Sequence, residues 1–228
     1  MEKGKANAEE KPAFEKPGLV FRLVRAIMRA AMFLYFRFRP SYRGKRGPYP
    51  KPLVVVMNHQ SYLDPVLAGC AVPCKLRYLA RTTLFRNRLF AALIRSLGAV
   101  PIDREGGGYA GLNTALKLLS RGEAVLLFPD GTRSRDGSIG KFKPGFVWLA
   151  QKAGAHVLPM VVSGAHEAWH RTAKFPRPRK IRLLVLEPIP PSKLEPREGE
   201  GRSEARARIA GEIRALMEEA KRSLEDGD

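Results

Sequence analysis

Hydrophobic and polar positions follow two rhythms along this chain. Short apolar runs recur at LVVVM (53–57), LRYLA (76–80), AVPID (99–103), AVLLF (124–128), VLPMVV (157–162) and IRLLVLE (181–187). Their length and their content of Val, Ile and Leu read as β-strands. Between them, residues 65–72, 86–97, 109–121 and 145–153 carry helical spacing, with Gly122 and Gly154 placed to end the last two helices. The alternation predicts an α/β fold, a mixed and largely parallel sheet covered by helices. A final helix over about 203–224 sets Ile209, Ile213, Leu216, Met217, Ala220 and Leu224 on one stripe and is expected to dock on the domain.

The N-terminal part follows a different pattern. Residues 1–17 are charged and aperiodic, which predicts a flexible tail. The stretch GLVFRLVRAIMRAAMFLYFRF at 18–38 is apolar but interrupted by Arg22, Arg25 and Arg29, which fall within about 60° of one another on a helix. Three central arginines oppose membrane insertion by roughly 8–10 kcal/mol, whereas about ten apolar residues return roughly 3–6. A helix lying in the membrane interface is therefore expected, with Leu19, Leu23, Ile27, Phe33, Leu34 and Phe36 in lipid and the arginines at headgroups. The expected domain organisation is a tail at 1–17, an amphipathic anchor at 18–40, an α/β domain at 41–190, and a linker with a C-terminal helix at 191–228.

Charge sharpens this picture. Lys and Arg number 41 against 22 Asp and Glu, a net charge of +19 that favours anionic partners. The two cysteines, Cys70 and Cys74, lack metal-ligand or redox spacing and read as buried thiols in a reducing compartment. His166 and His170 stand four residues apart with no third ligand and no HExxH sequence, so no metal is expected.

The candidate chemistry lies in NHQSYLD at 58–64. A five-residue offset in a continuous helix would point His59 and Asp64 about 140° apart, so a turn must separate them for the two to meet. Asp64-Pro65 reads as a helix start, with aspartate at the N-cap and proline at the first helical position. His59 then lies on the loop leaving a strand, where Asp64 can bond one ring nitrogen and leave the other for a substrate proton. The competing reading makes Asp64 a cap and His59 an ordinary loop residue.

NHQSYLD at 58–64, GAVPIDR at 98–104, FPDGTRS at 128–134 and VLPMVVSG at 157–164 resemble, in order and spacing, the four motif blocks of the lysophosphatidic acid acyltransferase family. The resemblance implies that His59 and Asp64 are a catalytic pair and that Arg104 and Arg133 bind the acceptor phosphate. Asp130, Gly131 and Thr132 of the third block would join the substrate site, with Asp130 replacing the usual glutamate. Pro159 would shape the acyl or donor pocket. Lys143, just before a helical run, could add charge to the same site, and Asn58 or nearby backbone N–H groups could serve the oxyanion. No cofactor is implied; the co-substrate would be an acyl-coenzyme A or acyl-carrier-protein thioester. The expected acceptor is a lysophospholipid, above all lysophosphatidic acid, with another lysolipid or glycerol 3-phosphate as the alternative. The expected location is peripheral, on the cytoplasmic face of an anionic cell membrane.

Other classes fit the sequence less well. Ser163 is not in G-x-S-x-G, because Val161 stands two positions before it. Ser61 also lacks that context. FPDGT resembles the DxDGT loop of aspartate phosphatases, but Phe128 replaces the first aspartate. A basic membrane- or nucleic-acid-binding protein would use the net charge, yet no nucleic-acid-binding motif is present, so nucleic acid is not an expected partner.

Overall fold

The computed structural model describes residues 18–103 and 108–226. The predicted tail at 1–17 and Arg104 lie outside the described residues. Among the described residues the first elements are α1 (Leu19–Phe36) and β1 (Arg39–Tyr42), followed by β2 (Leu53–Met57), α2 (Asp64–Ala71) and β3 (Leu76–Arg81). It continues through α3 (Arg88–Ser96), β4 (Ala99–Ile102), α4 (Gly108–Ser120), β5 (Ala124–Leu127) and α5 (Gly145–Ala153). The last elements are β6 (His156–Ser163), α6 (Ala165–Trp169), β7 (Arg182–Val185) and α7 (Arg202–Asp226).

The seven strands among the described residues form one sheet in the order β1-β7-β6-β2-β5-β3-β4. Each neighbouring pair is parallel except β6 and β7. The continuous apolar run of β2 has a direct cause, because all five of its residues are buried. Leu53, Val55 and Met57 enter the core shared with residues of α1 and α2, and Val54 and Val56 enter the core shared with α4, α5 and α7.

The order of strands positions the site. The β2-to-β3 and β3-to-β4 connections step in one direction across the sheet, and the β5-to-β6 connection returns the other way past β2. Right-handed crossovers therefore place α2 and α3 on one face and α5 on the other. β2 and β5 are neighbours whose connections diverge, and a crevice opens at the carboxyl ends of such a pair.

Three expectations change. Phe36 is 3% exposed and packs in the core, whereas Leu19, Leu23, Ile27, Phe33 and Leu34 are exposed. Phe36 follows Met32 by four residues and shares its inward side of α1. β1 starts at Arg39, two residues before the expected domain boundary, and accommodates Pro40 because it is an edge strand. The 191–202 linker is partly ordered as a 3₁₀ turn over Pro191–Leu194, with Leu194 buried and its carbonyl accepting from Gln151 Nε2 at 2.6 Å. On α7, Ile209, Ile213, Met217 and Ala220 are buried against the α4/α5 side of the sheet, while Leu216 is 36% exposed. No helix among the described residues is long and apolar enough to cross a membrane.

Candidate active site

The site starts where β2 ends. Asn58 is fully buried, and its side chain donates to Val162 O at 3.0 Å and accepts from Val162 N at 2.9 Å. It thereby extends the β2–β6 pairing through a side chain. Loss of that pairing leaves Val162 with two unpaired backbone groups, at about 1–3 kcal/mol each. The Asn58 amide, considered from the sequence for the oxyanion, is buried and turned to Val162 of β6.

The chain then turns and brings His59 Nδ1 to 2.7 Å from Asp64 Oδ2. The same oxygen accepts from Gln60 N at 2.6 Å and Ser61 N at 2.7 Å. Asp64 is the first residue of α2, with Leu63 at the cap position and no side-chain cap bond, so the expected aspartate N-cap is corrected. Its carboxylate reaches back to the preceding loop because three donors converge there. Burial pushes the Asp64 carboxyl above the usual range, and the His59 contact and the two backbone N–H groups oppose that rise. The Asp64 side chain has no exposure, whereas that of His59 keeps 20%, so a substrate can reach the ring but not the carboxylate. Ser61 Oγ donates to Trp169 O at 2.8 Å and accepts from Leu63 N, which commits the buried hydroxyl to the loop and not to nucleophilic attack.

The loop after β5 closes against this turn. His59 N donates to Asp130 Oδ2 at 3.1 Å, and Ser134 N donates to His59 O at 2.7 Å. Together with the bonds to Asp64, these contacts occupy the N–H groups of residues 59, 60 and 61, which removes them as oxyanion donors. Phe128 stacks on the His59 ring, with centroids 3.9 Å apart and planes 16° apart. From the sequence Phe128 was the end of a strand, the first residue of the third motif block and the replacement for a phosphatase aspartate, and its stacking on His59 was not expected. Gly131 has φ of +71°, and a Cβ there would meet Lys143 Nζ at 3.3 Å. Glycine thus satisfies both the left-handed turn and the close passage of Lys143.

Asp130 is perturbed. Burial raises its carboxyl to about 6, against a smaller lowering from the His59 N–H bond, and among the described residues Oδ1 has no hydrogen-bond partner. Its native pKa lies above the unfolded value, so the native state holds the proton more tightly. Asp130 therefore subtracts stability as pH rises from about 4 through about 6. Asp130→Asn is expected to flatten the fall of Tm across that window, measured by thermal melts at a series of pH values. Parallel profiles for the variant and the parent would refute the assignment.

Arg133 completes the cluster. Its guanidinium carbon lies 3.7 Å from the centroid of the Tyr62 ring. Tyr62 in turn donates to Arg171 O at 3.3 Å and packs 5.3 Å from the Trp169 ring. Among the described residues the buried Nη1 of Arg133 has no hydrogen-bond partner. An ordered guanidinium with an unfilled N–H is suited to an anion. The sequence reading missed Tyr62, although it lies between His59 and Asp64 in the first block.

The remaining expected positions divide. Thr132 and Lys143 are exposed at the loop. Pro159 is buried within β6 opposite Val56. His166 and His170 have ring centroids 5.4 Å apart, but His166 Nε2 contacts Arg135 O, and the described residues contain no group of three potential metal ligands.

Residues 39–163, more than half of the chain, match the family described as Acyltransferase. The chain belongs to the acyltransferase family. A solved structure similar to this acyltransferase is the 1-acyl-sn-glycerophosphate (LPA) acyltransferase PlsC from Thermotoga maritima, at 26% identity and a TM-score of 0.71. That similarity covers 89% of this chain and 80% of the other. The 1-acyl-sn-glycerol-3-phosphate acyltransferase of Bacillus subtilis is 29% identical over 65% of this acyltransferase and 72% of its own length. A chloroplastic enzyme of the same name from Arabidopsis thaliana is 30% identical over 67% of this chain. The match spans only 43% of that longer plant protein.

Proposed function

We propose that this acyltransferase moves a fatty acyl chain from an acyl-coenzyme A or acyl-carrier-protein thioester to the free hydroxyl of lysophosphatidic acid, forming phosphatidic acid. The observation that carries the reading is the His59–Asp64 pair, half-open at the carboxyl edge beside Arg133. The names of the relatives from Thermotoga maritima and Bacillus subtilis support the acceptor.

In the proposed step, Asp64 holds the Nδ1–H of His59 and the Phe128 stack sets the ring plane, which leaves Nε2 to accept the acceptor's hydroxyl proton. As that proton leaves, the hydroxyl oxygen forms a bond to the thioester carbonyl carbon. The C–S bond then breaks, and the departing thiolate recovers the proton from the imidazolium. Transfer is direct, with no acyl-enzyme. Arg133, held on Tyr62, clamps the acceptor phosphate, with Arg104, Thr132 and Lys143 completing the phosphate side. The exposed apolar stripe of α1 lies in the interface of an anionic membrane on its cytoplasmic face, where the acceptor resides.

Acceptor kinetics test the clamp. Arg133→Ala is expected to raise the acceptor KM about ten- to hundred-fold while the donor KM changes little, because only the acceptor phosphate meets the guanidinium. Arg133→Lys should recover part of the loss, since an ammonium cannot donate bidentately. Tyr62→Leu should raise the same KM less, by freeing a guanidinium that remains charged. Equal changes in both substrates' KM values reject the clamp.

A further inference from the structure

The exposed apolar surface of this acyltransferase extends beyond α1. Around α3 the chain exposes Leu84, Leu89, Phe90 and Leu93 at 48%, 85%, 46% and 44%. On α3 itself, Leu89, Phe90 and Leu93 fall within about 100° of one another, and Ala91 is the helix's buried residue. Arg86, Arg88 and Arg95 are exposed around this stripe, and no Asp or Glu occurs between residues 76 and 102. An exposed apolar patch flanked by three arginines marks an interaction surface and not an ordinary solvated helix.

Its place in the fold indicates the occupant. β3 runs parallel to β5, and β5 parallel to β2, so the turn carrying Leu84 and the start of α3 leave the sheet at the edge that bears His59. β1 and β7 run opposite to β6 and β2, so the end of α1 enters the sheet at that same edge. There Phe33 and Leu34 of α1 lie together with Arg37, Arg39 and Lys180. Handedness also puts α3 on the α2 face, the face on which α1 packs.

We infer that α3 and the turn before it form a second membrane-contact surface, with Leu84, Leu89, Phe90 and Leu93 at the acyl boundary and the arginines on anionic headgroups. This deepens the proposed interfacial reading and names a contact separate from α1. Charge complementarity selects lipid over a second copy of the chain, whose symmetric approach would set Arg86, Arg88 and Arg95 against themselves. Two contacts, α1 and α3, hold the carboxyl edge toward the lipid, so the acceptor phosphate reaches Arg133 while its acyl chain stays in the bilayer.

The test uses the full chain and vesicles of phosphatidylcholine with or without phosphatidylglycerol. Leu89→Ser/Leu93→Ser is compared with Leu23→Ser/Ile27→Ser on α1, and brominated lipid probes a Leu89→Trp variant against the parent. The α3 double variant should lose about ten-fold in partitioning onto anionic vesicles and keep its turnover of a soluble short-chain acceptor. The added tryptophan should be quenched by brominated lipid. Unchanged partitioning of the α3 variant, or no added quenching, overturns the inference. Loss confined to the α1 variant overturns it while sparing the α1 reading, and loss confined to the α3 variant does the reverse. Should the parent sediment as a dimer that the α3 variant dissociates without loss of vesicle binding, self-association replaces it.

Discussion

Alanine in place of His59 is expected to lower acceptor-dependent thiol release by about 10²–10⁴-fold, the contribution of a positioned general base. The imidazole is the group of the His59–Asp64 pair that keeps exposure, at 20%, so its removal takes away the proton acceptor while Asp64 stays buried. The turn should persist, because Asp64 Oδ2 still accepts from Gln60 N and Ser61 N, and Asp130 from the backbone N–H of position 59. Phe128 loses its stacking partner, so a small fall in Tm is expected alongside the large loss of turnover. Thiol release, acceptor binding and a thermal melt separate these effects. Turnover near that of the parent rejects His59 as the base, and an acylated enzyme trapped by rapid quench rejects direct transfer.

Asp64→Asn is expected to lower turnover by about 10²-fold or more while the protein remains folded. Asparagine is nearly isosteric, and its carbonyl oxygen can take the place of Oδ2, which accepts from His59 Nδ1, Gln60 N and Ser61 N. The substitution removes the negative charge that stabilises an imidazolium during proton transfer. A merely structural aspartate would tolerate the change in turnover. Measurement of kcat beside a melt and an acceptor-binding isotherm decides between the roles, and near-normal kcat would assign Asp64 to the turn alone.

Much of this architecture was legible because it depends on local pattern. The run LVVVM is apolar at every position since β2 is buried on both faces, and the strand expected over 53–57 has those bounds. The helix at 145–153 ends at Gly154, whose φ of +57° is the left-handed stop that glycine permits. The five-residue offset of His59 and Asp64 required a turn between them, the motif resemblance implied their pairing, and the structure brings Nδ1 to 2.7 Å from Oδ2. The basic and apolar sides of the 18–38 stretch followed from helical periodicity, but Phe36 did not, since its burial depends on which side the body of the protein occupies.

The amino-acid sequence by itself determined the α/β rhythm and most of the strands and helices, though not β1 or α6, because periodicity and turn chemistry reside within short stretches. Tertiary structure alone decided that β2 and β5 are neighbours, which brings Asp130 to the His59 backbone and Phe128 onto its ring across about 70 residues of chain. It also stacked Arg133 on Tyr62, occupied Asn58 with Val162, and left the Leu89–Leu93 side of α3 uncovered. Those outcomes depend on strand order and on which helix face meets the sheet. Local propensity does not encode them, because the contacts that decide them are made by residues far apart in the chain.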